Sequence, residues 1–219
     1  MAAGRRGVQC RPLTIVRRTF EIGTMLRLAC IRRRLGDRPP HHAMPADARQ
    51  AAVAVVLRDR SGTPEVLFIK RAEKPGDPWS GHMAFPGGHK DPDDADLCAA
   101  AIRETAEEIG LDISRAPVIG TLPTQRPMSS RRKMMVAPFV FEIEGDPAFT
   151  LNHEVAEAVW TPLEPMYRGH NQDTGSPDGG HMRFNGFRLA GGHFVWGLTY
   201  RMVQTLFETV DPAYQRIAD

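Results

Sequence analysis

The chain has 219 residues, 42% of them hydrophobic and 25% charged, with 28 Lys plus Arg against 26 Asp plus Glu. That balance fits one generous globular domain, or one domain with an appendage, and excludes wholesale disorder. The longest apolar runs fall well short of the roughly 20 residues of a spanning helix, so no transmembrane segment is expected.

The charge is uneven. Residues 1–46 hold ten Arg against Glu21 and Asp37, for +8, and the other 173 residues carry −6. An acidic body argues against a nucleic-acid-binding surface, which needs clustered Lys and Arg, and suits carboxylates gathered around a cation. Cys10, Cys30 and Cys98 form no CxxC pair. With neither a disulfide framework nor a zinc ribbon in prospect, a reducing cytoplasm is the simplest setting.

Residues 12–36 mix Leu13, Phe20, Leu28, Ile31 and Leu35 with arginines, a partly amphipathic helical pattern that ends near Pro39-Pro40. Three readings of residues 1–46 stand side by side: a leading helix packed on the body, a true start at Met25, or an organelle-targeting segment, since transit peptides are Arg-rich and acid-poor. This stretch is treated as a basic N-terminal extension, residues 47–219 as the enzyme-sized domain, and Pro39 to Gln50 as the linker.

Ala51–Leu57 reads as a β-rich run, Arg58 to Gly62 as a turn, and Glu65–Lys70 as the hairpin partner. Pro75 to Pro78 breaks the chain before a short strand at Met83–Phe85. From Asp94 to Ile109 there is no Gly or Pro, and Leu97, Ala101, Ala106 and Ile109 recur at helical steps, with Gly110 as the stop. Val118–Leu122, Met134–Ile143 and Glu154–Leu163 are further strand candidates. Gly169 to Gly180 reads as a polar loop, and Leu198 to Val210 as an amphipathic closing helix. Strands mixed with a few helices indicate an α/β or α+β fold, with helices covering a sheet.

The chemistry is concentrated in Gly87-Gly88 through Leu111. Glu104, Glu107 and Glu108 stand at i, i+3 and i+4, so their carboxylates share a helical face near the C-terminus, where like charges repel and the helix dipole disfavours anions. Such a face is unfavourable for stability and favourable for a hard divalent cation, which takes oxygen ligands and bridges carboxylates to phosphates. Arg103 precedes Glu107 by four residues and can pair with it.

Gly88, five residues, Asp94, eight residues, then Arg103-Glu104-Thr-Ala-Glu107-Glu108-Ile-Gly110-Leu resembles the Nudix box of the Nudix hydrolase family. The usual box has Glu where Asp94 stands, one residue fewer before the Arg, and an apolar residue at Thr105. The longer spacing, together with Arg71, Gly81 and Phe85-Pro86-Gly87-Gly88 upstream, is similar to the coenzyme A pyrophosphatase branch. Trp79 stands where that branch has His, and Pro75 to Pro78 replaces its Leu-Arg. Glu154 to Leu163 and Phe194 to Thr199 also look like that branch, so the resemblance spans about residues 50–210.

The resemblance implies a Nudix-type α/β/α sandwich with a mixed sheet. It also implies a hydrolase that cleaves a diphosphate linked to another moiety, using Mg²⁺ or Mn²⁺. Glu104 and Glu108 would ligate metal, Glu107 would complete the cluster, and Gly87 or Gly88 would add a carbonyl oxygen. Arg103 and Gly110 are structural in the motif. Glu104 and Glu154 are alternative general bases, with Glu157 a bystander. Arg71, together with Gly87 and Gly88, is expected to hold the diphosphate. Arg126, Arg131, Arg132 and Lys133 are either a contact for a 3′-phosphate or a solvated loop. His82 and Trp79 are either substrate contacts or packing residues.

The expected partner is a nucleoside-diphosphate-linked small molecule, coenzyme A or its acyl derivatives in the first place. ADP-ribose, dinucleotides or nucleoside triphosphates are the alternative, and a non-catalytic Nudix-fold binding module the reading from another class. A homodimer is left open, and the cytoplasm is favoured over an organelle.

Overall fold

The computed structural model describes residues 25–36, 45, 47–77, 79–128, 134–177 and 181–216. Most of residues 1–46 and the basic residues Arg131 to Lys133 lie outside these.

The central strand is β1 (Arg49–Arg60), which begins inside the stretch read as a linker. It turns through Ser61 and Gly62, with φ of 54° and 85°, into β2 (Thr63–Arg71). Two positive φ values give the twist that a two-residue hairpin needs, and glycine supplies one without strain. β6 (Met134–Ile143) lies parallel to β1 along its length, and β5 (Val118–Thr121) adds antiparallel to β6. β7 (Val155–Pro162) flanks the other edge of β2, with a register shift at Lys70/Arg71. β3 (Met83–Ala84) and β4 (Gly87–His89) fill the gap where β1 and β2 diverge, pairing with β2 and β1 respectively.

Alternating residues feed two cores, as the two-residue strand period requires. Ala52, Ala54, Val56, Leu67 and Ile69 face α2 (Leu97–Ile109). Val55, Leu57, Val66 and Phe68 face a layer made of α1 (Leu28–Gly36), α3 (Leu163–Tyr167) and α4 (Gly197–Val210). Helices therefore cover both faces of a mixed sheet, the α/β/α sandwich expected from the sequence. No helix among the described residues is long and apolar enough to cross a membrane.

α1 contributes to the core. Leu28, Ile31 and Leu35 are buried, and Leu35 lies so close to Gly120 that a β-carbon there would sit 2.5 Å from its own. Ile31→Ala is expected to destabilise the protein by about 3 kcal/mol, the usual cost of emptying a buried Ile site, as read from urea unfolding. An unchanged midpoint would show that α1 is a passive appendage.

The stretch read as a loop, Gly169 to Gly180, contains β8 (Gln172–Gly175). With β9 (Phe184–Arg188) and β10 (Phe194–Trp196) it forms a second, antiparallel three-stranded sheet. α2 is shorter than its sequence suggests. Asp96 caps it by accepting from the Ala99 amide at 2.8 Å, which leaves Asp94 in the preceding loop. Gly110, at φ 68°, ends the helix.

Candidate functional site at the Gly87–Gly88 strand

Glycine allows β4 to come close to both its neighbours. At Gly87, φ is 145°, and a β-carbon would lie 2.3 Å from the Ala52 carbonyl oxygen. At Gly88 it would fall 2.3 Å from a Glu104 carboxylate oxygen. The inner face of α2 is thereby brought against a bare backbone.

Glu108 is 3% exposed, and its carboxylate accepts from the Gly87 amide at 2.9 Å. Burial pushes its pKa up to about 7; the Gly87 amide and Arg71 oppose the rise, while Glu104 and Glu154 add to it. Glu104 is also raised, chiefly by burial, against the pull of Arg103. Glu107 points outward, held by Arg103 Nη1 at 3.0 Å. The carboxylates at i and i+4 therefore face Gly88 and Gly87, and the third lies at the rim.

Arg103 is the organising cation. Besides Glu107 it contacts Glu104 at 3.2 Å, donates to the His89 carbonyl at 3.0 Å, and forks onto both oxygens of Asp94 at 3.0 Å. Asp94 is nearly buried, and the Arg103 hydrogen bonds hold its carboxyl below the usual range. The pairing with Glu107 was legible from the four-residue spacing. The stronger bidentate pair with Asp94 crosses the start of the helix, and no periodicity announces it. Asp94→Asn is expected to cost about 2 kcal/mol in urea unfolding, because it halves a nearly buried charge pair, and to lower turnover about tenfold through Glu104. Wild-type values for both would remove the positioning role.

Thr105 keeps its apolar place in the motif by burying its hydroxyl in a bond to the Ala101 carbonyl at 2.7 Å.

The C-terminus of α2 is tied to the loop before β7. Thr150 and Asn152 donate their amides to the Ile109 and Glu108 carbonyls, both at 2.9 Å. These bonds satisfy carbonyls that the helix leaves open. They also bring Glu154, with its half-exposed side chain, close enough to raise the Glu108 pKa. Glu154's own carbonyl accepts from the Ala72 amide at 2.7 Å, joining this loop to the end of β2. Glu157 is turned away, paired with His193 at 3.1 Å and Lys70 at 3.4 Å.

Arg71 stands at the register shift, where an irregular strand re-aims a side chain. Its Nη2 donates to Asp77 at 2.9 Å, and its Nε is buried without a partner among the described residues. Burial pushes the Asp77 carboxyl up, but the Trp79 amide and Arg71 outweigh it, and the net shift is downward. This Asp77 clasp lies within the Pro75 to Pro78 segment, where the sequence departs from the branch it resembles. Trp79 is 41% exposed, whereas the His82 ring packs edge-on against Trp196. Arg126 is exposed.

Among the described residues, no group of three or more His, Cys, Asp or Glu is drawn together as a ready metal cage. What the site offers instead is a pair of oxygen donors, Glu104 and Glu108. A buried carboxylate whose pKa is pushed to about 7 is only partly compensated by Arg71, and a hard divalent cation fits both that deficit and the donor set.

Comparison with known proteins shows the family to which the chain belongs. A family model described as NUDIX domain matches residues 48–179. The mitochondrial coenzyme A diphosphatase NUDT8 of Homo sapiens is 33% identical over 190 residues, 84% of this chain and 78% of that protein. Its Mus musculus counterpart is 32% identical over 169 residues, 75% of this chain and 79% of that one. An uncharacterized Nudix hydrolase, NudL, of Cronobacter sakazakii is 35% identical over 177 residues, 77% of this chain and 86% of that one. The crystal structure of a MutT/nudix family protein from Enterococcus faecalis covers 92% of this chain and 76% of its own, with a TM-score of 0.55 and 17% identity, a likeness of fold. The chain belongs to the Nudix family and is a pyrophosphatase-type hydrolase.

Proposed function

We propose that this Nudix enzyme hydrolyses the diphosphate of coenzyme A or acyl-coenzyme A, giving a 3′,5′-ADP-type product and a phosphopantetheine, with Mg²⁺ or Mn²⁺. The observation that carries the substrate is the match to two mammalian proteins named as coenzyme A diphosphatases, over 84% and 75% of this chain. For the chemistry, the support is the buried Glu108 beside Glu104, Glu154 and Arg71.

Glu104 and Glu108, with Glu107 at the rim, would hold the cation. When bound, it would neutralise diphosphate oxygens and make a water more acidic. The protein's own groups do the rest. The Gly87 amide fixes one Glu108 oxygen, and the Asp94–Arg103 fork fixes Glu104. Arg71, anchored by Asp77, presents its guanidinium to the diphosphate and orients it for in-line attack. Glu154, half-exposed and near Glu108, accepts the proton of the attacking water, a role that Glu104 shares as the alternative base.

Rates on coenzyme A, acetyl-coenzyme A, ADP-ribose and a dinucleotide, each with Mg²⁺ and with Mn²⁺, test the substrate. The expected outcome is a kcat/KM for coenzyme A at least about tenfold above that for ADP-ribose and the dinucleotide. Preference for ADP-ribose or the dinucleotide would overturn the substrate assignment and leave the family chemistry in place.

A further inference from the structure

On the far side of the end of β2 from Glu108, the small sheet and the start of α4 border two neighbouring cavities. The larger, about 390 Å³, is lined by Lys70, His82 and Trp196 among others. The smaller, about 240 Å³, is lined by Met128, Arg183, Phe184, Asn185, Gly197 and Arg201. The rings of Trp196 and Phe184, 4.6 Å apart, link the two. A chain of contacts runs there from Arg71. The Arg71 amide donates to the His82 carbonyl at 3.0 Å, and the His82 ring lies 4.9 Å from that of Trp196.

Among the described residues, the ionisable groups that line the smaller cavity are two arginines, Arg183 and Arg201. Arg201 Nη2 donates to the Arg126 carbonyl at 2.6 Å, and its Nε is buried without a partner among the described residues. Arg183 Nη2 donates to the Thr174 carbonyl at 2.5 Å. Main-chain oxygens therefore fix both guanidiniums without neutralising them. Asp173, the acid that feels Arg183, is itself bonded to Arg188 at 2.9 Å. Two fixed guanidiniums beside an aromatic ring and the exposed Met128 suit a phosphate monoester carried on an apolar or aromatic framework.

We infer that Arg183 and Arg201 form a subsite for a second phosphate of the substrate, a phosphomonoester on its nucleoside half, apart from the diphosphate held by Arg71. The inference deepens the proposed function and rests on it, because coenzyme A carries such a phosphate at the 3′ position and ADP-ribose does not.

The test is calorimetric titration of the full chain, free of divalent cation, with adenosine 3′,5′-bisphosphate and with AMP. Wild type is expected to bind the bisphosphate about tenfold more tightly, the scale of one charge-assisted contact. Arg183→Gln and Arg201→Gln should each bring that ratio to within about twofold. Equal affinities in wild type, or a wild-type ratio in Arg183→Gln, would overturn the subsite. If Arg201→Gln loses its melting transition, Arg183→Gln decides alone. Coenzyme A turnover by wild type, measured alongside, separates the two claims. No turnover with the ratio intact removes the substrate reading and keeps the subsite, whereas turnover with equal affinities does the reverse.

Discussion

Glu108→Gln is expected to lower kcat/KM by on the order of a thousandfold, the loss of about 4 kcal/mol of transition-state stabilisation, while making the metal-free protein more stable at neutral pH. The two effects have one cause. Glu108 is buried with its carboxyl raised from 4.5 to about 7. Between those values the folded state binds more protons than the unfolded one, so its stability falls as pH rises from about 4.5 to about 7 and levels off above. Glutamine keeps an oxygen for the Gly87 amide and removes the buried charge. In EDTA at pH 7.5 the variant should melt about 5 °C above wild type, from about 2 kcal/mol of relieved burial. The wild-type decline between pH 4.5 and 7 should flatten in the variant. Saturating Mg²⁺ should reverse the order, because only the wild type gains fully from binding. A variant that melts at or below wild type in EDTA would show that Glu108 is not an incompletely compensated buried charge.

Two adjacent glycines should fail in different ways. Gly87→Ala places a β-carbon 2.3 Å from the Ala52 carbonyl oxygen and 2.6 Å from the Val53 Cα, both backbone atoms of the central strand, at a φ of 145°. Neither atom can yield without moving β1. A loss of about 4 kcal/mol or more is expected, read as a collapse of soluble yield or of the urea midpoint. For Gly88→Ala the three nearest atoms all belong to the end of Glu104, its carboxylate at 2.3 to 2.7 Å. That side chain can swing aside, so the fold should survive at a cost of about 1 kcal/mol. Displacing the carboxylate by an ångström or more should lower turnover about a hundredfold. Comparable activity in Gly88→Ala and wild type would mean that the position of Glu104 against β4 is irrelevant to catalysis.

The sequence revealed the parts governed by local rules. β6 matches its expected bounds, since a short, nearly continuous apolar run bounded by charged residues on both sides has the length of a buried strand and not of a helix. α2 was legible from its alanines and its Gly110 stop, but its start was set by Asp96, because Asp94 was drawn off by Arg103. Strands β8 and β9, Gln-Asp-Thr-Gly and Phe-Asn-Gly-Phe-Arg, were not legible. Their polar and glycine residues look like loop, and the pairing that makes them strands is tertiary. Within the candidate site, three glutamates on one helical face could be named from spacing. Which two would face β4 depends on how closely Gly87 and Gly88 let that strand approach. Asp77 at Arg71, and the amides of Thr150 and Asn152 on the end of α2, had no sequence signal, because each joins segments whose proximity only the fold provides.

In the proposed function Glu104 and Glu108 act together as a cation site. Titration of Mn²⁺ into wild type, Glu104→Gln and Glu108→Gln, followed by electron paramagnetic resonance of the free ion, addresses this without reference to substrate. Wild type should bind the ion and each variant at least about tenfold more weakly, all three folded, as expected when one ligand of an oxygen site is lost. Equal Mn²⁺ affinity in the three proteins would contradict such a site.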